Sequence, residues 1–186
     1  MGKIYDRIDE RLRAFIVAQP MFFVATAPAD GHVNVSPKGY ADTFAVLDDR
    51  TVGYLDLTGS GAETIAHLRE NGRITVMFCS FGRTPNVLRL YGTGRVVTPG
   101  SPQWPDLARH FPVDTPGSRA IIVVTVDRIA DSCGYGVPYM EPAGDRDMLK
   151  DWAARKTPEK LSAYQADKNA TSIDGLPALD GLDEVT

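Results

Sequence analysis

Seven β-prone runs, most of them joined by turns rather than by helices, constrain this chain more than any other feature of its sequence. They are Phe22–Thr26, His32–Ser36, Phe44–Leu47, Thr51–Asp56, Arg73–Phe81, Asn86–Val97 and Ala120–Ile129. The segment Ala27-Pro-Ala-Asp-Gly31 joins the first two with the turn residues that a hairpin needs. Asp48-Asp49-Arg50 does the same for the next pair. Parallel neighbours would need a crossover between every pair of strands, usually a helix. Here only a predicted helix over 62–70 and a short helical segment over 102–110 interrupt the runs. The pattern therefore predicts an antiparallel barrel or sandwich. Pro37 lacks a backbone donor and is expected to end the second strand, leaving Lys38–Asp42 as a loop. Gly92 and Gly94 mark a bulge or a sharp bend in the sixth run.

Helical periodicity flanks the strands. Ile4, Ile8, Leu12, Phe15 and Ile16 recur among charged residues, which predicts an amphipathic helix over 3–18 that ends near Pro20 and covers the sheet. Beyond the strands, Cys133–Pro142 reads as a rigid loop punctuated by Gly and Pro, and two helices are expected around 146–156 and 158–168. From Ser172 through the acidic end, Asp180-Gly-Leu-Asp-Glu184, the pattern turns loop-like. At 186 residues the chain accommodates one sizeable core, read as one domain with an appended tail.

Charge narrows the partners. With 20 basic against 24 acidic residues and no Lys/Arg-rich run, the chain offers a nucleic-acid backbone no attraction. Its N-terminus is polar and no apolar run reaches transmembrane length, so a soluble cytoplasmic protein without membrane contact is expected. Cys79 and Cys133 are too few for a disulfide framework and read as reduced thiols.

Three places carry candidate chemistry. At Tyr54-Leu-Asp-Leu-Thr-Gly-Ser-Gly-Ala-Glu63 a strand breaks at a Gly-rich turn and a helix begins. Unpaired N–H groups at a helix start attract anions, so a phosphate is one reading of the turn. Ser60-Gly-Ala-Glu63 also fits a capping box, which explains the same residues without a ligand. Asn34-Val-Ser-Pro-Lys-Gly39 presents a cation, a hydroxyl and close backbone approach together. Arg89, between two leucines, shares a strand face with Val87 and Tyr91 and is either a solvated charge or an anion partner in a cleft. Glu63, His67 and Glu70 share a helix face without a second His at ligand spacing, so surface ion pairs are expected there and no metal. No hydrolytic triad is evident.

Taken in order and spacing, these segments resemble the pyridoxamine 5′-phosphate oxidase-like family of FMN-binding split β-barrel proteins. The residues that carry the resemblance lie within about 5–130: the N-terminal helix, Asn34-Val-Ser-Pro-Lys-Gly39, Leu57-Thr-Gly-Ser-Gly61 before Thr64-Ile-Ala-His-Leu68, then Asn71–Phe78 and Leu88–Val97. The resemblance implies a mainly β (α+β) chain: an antiparallel split β-barrel with flanking helices and a helical C-terminal tail. Residues 1–130 would form the FMN-binding barrel. Residues 131–186 would be a loop and helical extension that packs on the barrel or on a dimer partner. It further implies FMN contact at Ser36, Pro37, Lys38, Gly39, Thr58, Gly59, Ser60, Thr64 and Arg89, a homodimer that closes over the flavin, and an FMN-dependent oxidoreductase acting on a small-molecule substrate or electron donor. The chemistry would reside in the flavin, so no catalytic side chain is assigned.

Two departures accompany the resemblance. The basic pair that active family members place at the helix start is Glu63 and Thr64 here, so either phosphate contact comes from Lys38, Arg89, Thr64 and backbone donors, or the ligand is bound differently or weakly. The segment Gly134–Met140 and the Trp152-containing helices do not resemble the substrate end of the vitamin B6 oxidase. A flavin-binding or storage protein without catalysis, and a relative using deazaflavin or haem, are the alternative readings. The loop with Tyr135, Tyr139 and Met140 either covers the flavin's open side, with Arg146 or Arg89 attracting an anionic substrate, or is structural packing.

Overall fold

Period-two burial runs through Phe22–Thr26 and most of Arg73–Cys79 in this protein, whose computed structural model describes residues 2–182, whereas Thr51–Leu57 is buried on both faces. The strands are β1 (Ile4–Tyr5), β2 (Phe22–Thr26), β3 (Asn34–Lys38), β4 (Phe44–Val46), β5 (Thr51–Leu57), β6 (Arg73–Cys79), β7 (Val87–Val97) and β8 (Ser118–Ser132). The helices are α1 (Glu10–Val17), α2 (Glu63–Glu70), α3 (Trp104–Ala108), α4 (Met148–Ala154) and α5 (Pro158–Lys168). All strand pairs are antiparallel, in the order β3-β2-β6-β7-β8-β5-β4, with β1 added to the far part of β8. The outermost strands β3 and β4 do not pair with each other. The sheet nevertheless curls, because Lys38 on β3 reaches Asp56 on β5 with four strands between them.

Inside the curl, Phe22, Phe44, Tyr54 and Phe78 meet edge to face or tilted, with centroids 4.9 to 5.8 Å apart, which adds quadrupolar attraction to area burial. Helix α2 lays Ile65, Ala66 and Leu68 on the same core and α1 adds Leu12 and Ile16. A second cluster of Leu55, Val97, Phe111, Ile121 and Val123 lies on the other face, with Trp104 and Leu107 packed against it.

Several expectations are corrected. Residues 3–9 are not helical: Asp9 accepts from Leu12 N and caps α1, while Ile4 and Tyr5 form β1 against β8, and Lys3 beside them accepts from Asp131 N and donates its N–H to the Asp131 carboxylate. The second strand does not end at Pro37. It continues to Lys38, with Pro37 opposite Phe23, because β3 is an edge strand where a missing donor is tolerated. Among the described residues there are eight strands rather than seven, and β8 runs past residue 130 to Ser132. The bulge near Gly92 is present, between Tyr91 and Gly92, and a Cβ on Gly92 would collide with the Thr125 carbonyl. Of the acidic end, Asp183 and Glu184 lie outside the described residues. Just before it, Thr171 bridges Pro177 and Ala178 is fully buried in the main core.

Candidate functional site

Strand β5 ends at the break before α2, and the strand's last inward side chain there is Asp56, which is 1% exposed. A carboxylate so deep needs partners. It has two: Lys38 Nζ donates to Oδ1 at 3.1 Å, and Arg119 donates to Oδ2 through Nε at 2.8 Å and Nη2 at 2.7 Å. Burial alone would raise the Asp56 carboxyl; Arg119 and then Lys38 outweigh it and hold the group below the usual carboxylate range. Arg119 reaches this position through a β-bulge. Asp56 pairs with Ala120 and Leu57 with Ser118, so Arg119 is the extra residue, re-aimed toward the carboxylate.

The same guanidinium shapes the turn. Arg119 Nη1 donates to the Gly61 carbonyl at 3.1 Å, so that carbonyl is spent outside the helix, and the first α2 bond runs from Ala66 N to Ala62 O. The capping box is therefore not formed. Ala62 is the N-cap, without a side-chain bond, and the Glu63 carboxylate folds back over Gly61, where a Cβ would otherwise sit.

Around these groups lies a cleft of about 600 Å³, lined among others by Ser36, Lys38, Gly59, Ser60, Glu63 and Arg119. A Cβ on Gly59 would meet nothing within 4 Å, so the turn presents bare backbone to open space. Lys38 spends one of its three donors on Asp56. Ser36 is oriented by a polar chain: its hydroxyl donates to Asn34 Oδ1 at 3.1 Å, and Asn34 Nδ2 donates to Thr64 Oγ1 at 3.1 Å and to Thr26 Oγ1 at 3.3 Å. With its proton committed, Ser36 faces the cleft as an acceptor.

Thr26 Oγ1 also lies 3.0 Å from His67 Nδ1. The expectation of a surface His67 is wrong: its ring is fully buried, because α2 turns it inward against β2. Its Nε2 has no partner among the described residues, so we assign the proton to Nδ1, where it can be donated to Thr26. Burial lowers the His67 pKa below its ordinary value. Glu70 instead accepts from Ala29 N. At the rim, exposed His32 pairs with Asp174 at 2.7 Å; this hydrogen bond raises the His32 pKa and lowers that of Asp174.

The nine residues expected at a cofactor are thus distributed. Ser36, Lys38, Gly59 and Ser60 line the cleft. Thr58 and Thr64 are buried beneath it: Thr58 Oγ1 donates to Gly117 O and accepts from Gln165, and Thr64 accepts from Asn34. Pro37 and Gly39 line an adjoining, mostly apolar pocket of about 730 Å³ with Tyr40, Phe81, Met140 and Arg146. Met140 and Arg146 of the C-terminal loop therefore face a pocket, whereas Tyr135 and Tyr139 are 82% and 79% exposed. Tyr40 there has φ 62°, and its hydroxyl donates to the Arg146 carbonyl. Arg89 lies on the opposite sheet face from Ser36 and Lys38, in the row Pro37, Phe23, Met77, Arg89, Ala130, and donates to Ser132 Oγ at 3.1 Å.

Asp56, Arg119 and Asn169 are the residues that sequence reasoning missed. Asp56 between two leucines, and Arg119 heading an apolar run, were visible as charges in buried strands; nothing local points to Asn169. Among the described residues no cluster of His, Cys, Asp or Glu is arranged for a metal ion, and no helix is long and apolar enough to cross a membrane.

Residues 8–133 match a family profile described as pyridoxamine 5′-phosphate oxidase. The chain is 42% identical over 195 residues to ustO, a pyridoxamine 5′-phosphate oxidase family protein of Aspergillus flavus, covering 96% of this chain and 78% of that protein. Among solved structures, HupZ of Group A Streptococcus superposes with a TM-score of 0.56 at 23% identity, over 72% of this chain and 99% of HupZ. A Clostridium acetobutylicum protein of the pyridoxinephosphate oxidase family, related to general stress protein 26 of B. subtilis, gives 0.51 at 12% identity over 66% and 86% of the two chains. These superpositions show the fold, an antiparallel split β-barrel.

Proposed function

Because the chain belongs to the pyridoxamine 5′-phosphate oxidase family, we propose that its cleft binds FMN and that the loaded protein is an oxidoreductase acting on a small molecule. The observation that carries this reading is the meeting of Ser36 and Lys38 from β3 with Gly59 and Ser60 from the β5–α2 turn around one cleft beside Arg119. The donor set fits a phosphorylated ligand. Lys38 has donors to spare, the Gly59 turn lets a ligand approach the backbone, and Arg119 is held rigid beneath. When bound, FMN supplies the electron and hydride transfer that no side chain here can.

The chain's own part is placement. Lys38 and the turn hold the anionic end, and Ser36 accepts from a ligand N–H or O–H because its proton is fixed on Asn34. Exclusion of water falls to a second copy of the chain. The outer sheet face supports that reading: Val35 is 60% exposed and shares its row with the half-buried Ala25, Thr75 and Tyr91, beside Phe23, Met77 and Arg89 in the next.

One observation favours a second reading. Lys38 and Arg119 are matched in number by Asp56 and Glu63 at the cleft, which suits a singly charged phosphodiester, as in a deazaflavin, better than a doubly charged phosphate.

Purified protein tests both. FMN should give a yellow complex and raise the melting temperature. A colourless protein that FMN does not stabilise removes the FMN reading, and stabilisation by a deazaflavin alone establishes the second. Oxidation of a reduced nicotinamide by the loaded protein separates an enzyme from a flavin carrier.

A further inference from the structure

One buried side chain connects the C-terminal segment to the anionic end of the cleft. Asn169 closes α5 and is fully buried. Its Oδ1 accepts from Arg119 Nη1 at 2.8 Å, and its Nδ2 donates to the Gly59 carbonyl at 3.1 Å. Its own backbone is engaged as well: the N–H donates to Gln165 O, and the carbonyl accepts from Leu179 N. One turn earlier, Gln165 Nε2 donates to Thr58 Oγ1 at 2.8 Å, so the segment grips the β5–α2 turn at two places.

Arg119 has five N–H groups in a fixed fork. Nε and one Nη2 group go to Asp56, and the two Nη1 groups go to Gly61 O and Asn169 Oδ1. That leaves a single Nη2 donor, on a residue that lines the cleft. Asp56 alone would let the guanidinium pivot about its carboxylate; the contacts on Nη1 stop that rotation.

We propose that Asn169 is a positioning residue, which fixes the Arg119 fork and the Gly59–Gly61 turn in the arrangement that receives the phosphate of the ligand. The C-terminal segment thereby sets which ligands the barrel accepts. The proposal rests on the reading of the cleft as an FMN site and assigns the phosphate end of that site.

The charge consequence of Asn169→Asp gives the test. A carboxylate there would draw Arg119 from the ligand, replace a donor by an acceptor opposite Gly59 O, and add one unit of negative charge beside the cleft. FMN and riboflavin affinities are measured by quenching of flavin fluorescence on wild type and variant, after circular dichroism shows both folded. FMN binding should weaken by about tenfold or more, as expected for loss of a charge-assisted contact, while riboflavin, which lacks the phosphate, changes by less than about twofold. Parallel loss of both flavins, or no change in either, overturns the proposal, since a merely structural residue cannot discriminate the phosphate. If Asn169→Asp does not fold, Arg119→Lys supplies the same comparison, because a lysine keeps the charge on Asp56 but cannot also reach Asn169 and Gly61. If the wild type binds neither flavin, the FMN reading fails, and inorganic phosphate decides the assignment of Asn169 by thermal shift. Stabilisation of the wild type but not of Asn169→Asp sustains it; equal stabilisation, or none in the wild type, overturns it.

Discussion

The Lys38 ammonium lies 3.1 Å from the Asp56 carboxylate although four strands separate β3 from β5 along the sheet. Side chains thus close a seam that no backbone ladder spans, and the seam runs beside the cleft. Three consequences concern this cluster and a fourth the buried histidine above it.

Asp56 accepts from Lys38 and is the main anchor of Arg119, whose side chain is 4% exposed. Asp56→Asn leaves a buried cation uncompensated and should destabilise the protein by about 3–5 kcal/mol in urea unfolding. Because the folded carboxyl titrates below its ordinary 3.8, the contribution is intact above that pH and is lost as acid protonates it. A loss below about 1 kcal/mol would mean that water, not Asp56, balances Arg119.

Lys38→Ala should weaken FMN binding by roughly tenfold to a hundredfold, the range for one charge-assisted hydrogen bond. Lys3→Ala is the control, since Lys3 lies over the Tyr5 ring away from the cleft. Equal affinities in calorimetry would remove Lys38 from the site.

Glu63 lines the cleft at the start of α2, where its charge opposes an anion. Glu63→Gln should tighten FMN binding several-fold, on the order of the 0.3–1 kcal/mol typical of a charge at a helix end, with less effect at high salt. Unchanged affinity at low salt would show that the ligand's charge lies elsewhere.

His67 and His32 should produce opposite pH dependences. The buried His67 is held below its ordinary 6.5, so its contribution is full above that pH and is lost as pH falls through the lower folded value. His32 is raised by Asp174, so its contribution is full below 6.5 and is lost as pH rises through the higher folded value. Melting temperatures from pH 5 to pH 8 should lose the acid-side decline in His67→Gln and the alkaline-side decline in His32→Gln. Retention of the acid-side decline in His67→Gln would assign it to the carboxylates.

Much of the barrel was legible because strand alternation is local. The parity that puts Arg89 beside Tyr91 and away from Leu88 and Leu90 holds in the structure, and Gly92 marks its bulge. Half of the site was legible for the same reason: Ser36 and Lys38 alternate onto one face, and Gly59 and Ser60 sit in an evident turn. The rest depends on contacts distant in the chain. The bulge that re-aims Arg119 is a mismatch of register between β5 and β8, which neither strand reveals alone. The expected capping box is absent because α2 is capped at Ala62 and not at Ser60, and the Gly61 carbonyl before it accepts from Arg119. His67 looked like a surface residue because its helix neighbours Glu63 and Glu70 are acidic; burial was decided by β2 and Thr26.

Ala178 completes a core whose other buried members among the described residues, from Ile8 to Ile129, precede it in the chain, and Leu176, Leu179 and Leu182 pack beside it. During synthesis at about 5–20 residues per second, those side chains leave the ribosome several seconds before the residue that seals them. For that interval the nascent barrel presents an unsealed apolar patch. Shortening the interval between Ile129 and Ala178 is accordingly a handle on yield during expression, separate from any change in the stability of the finished protein.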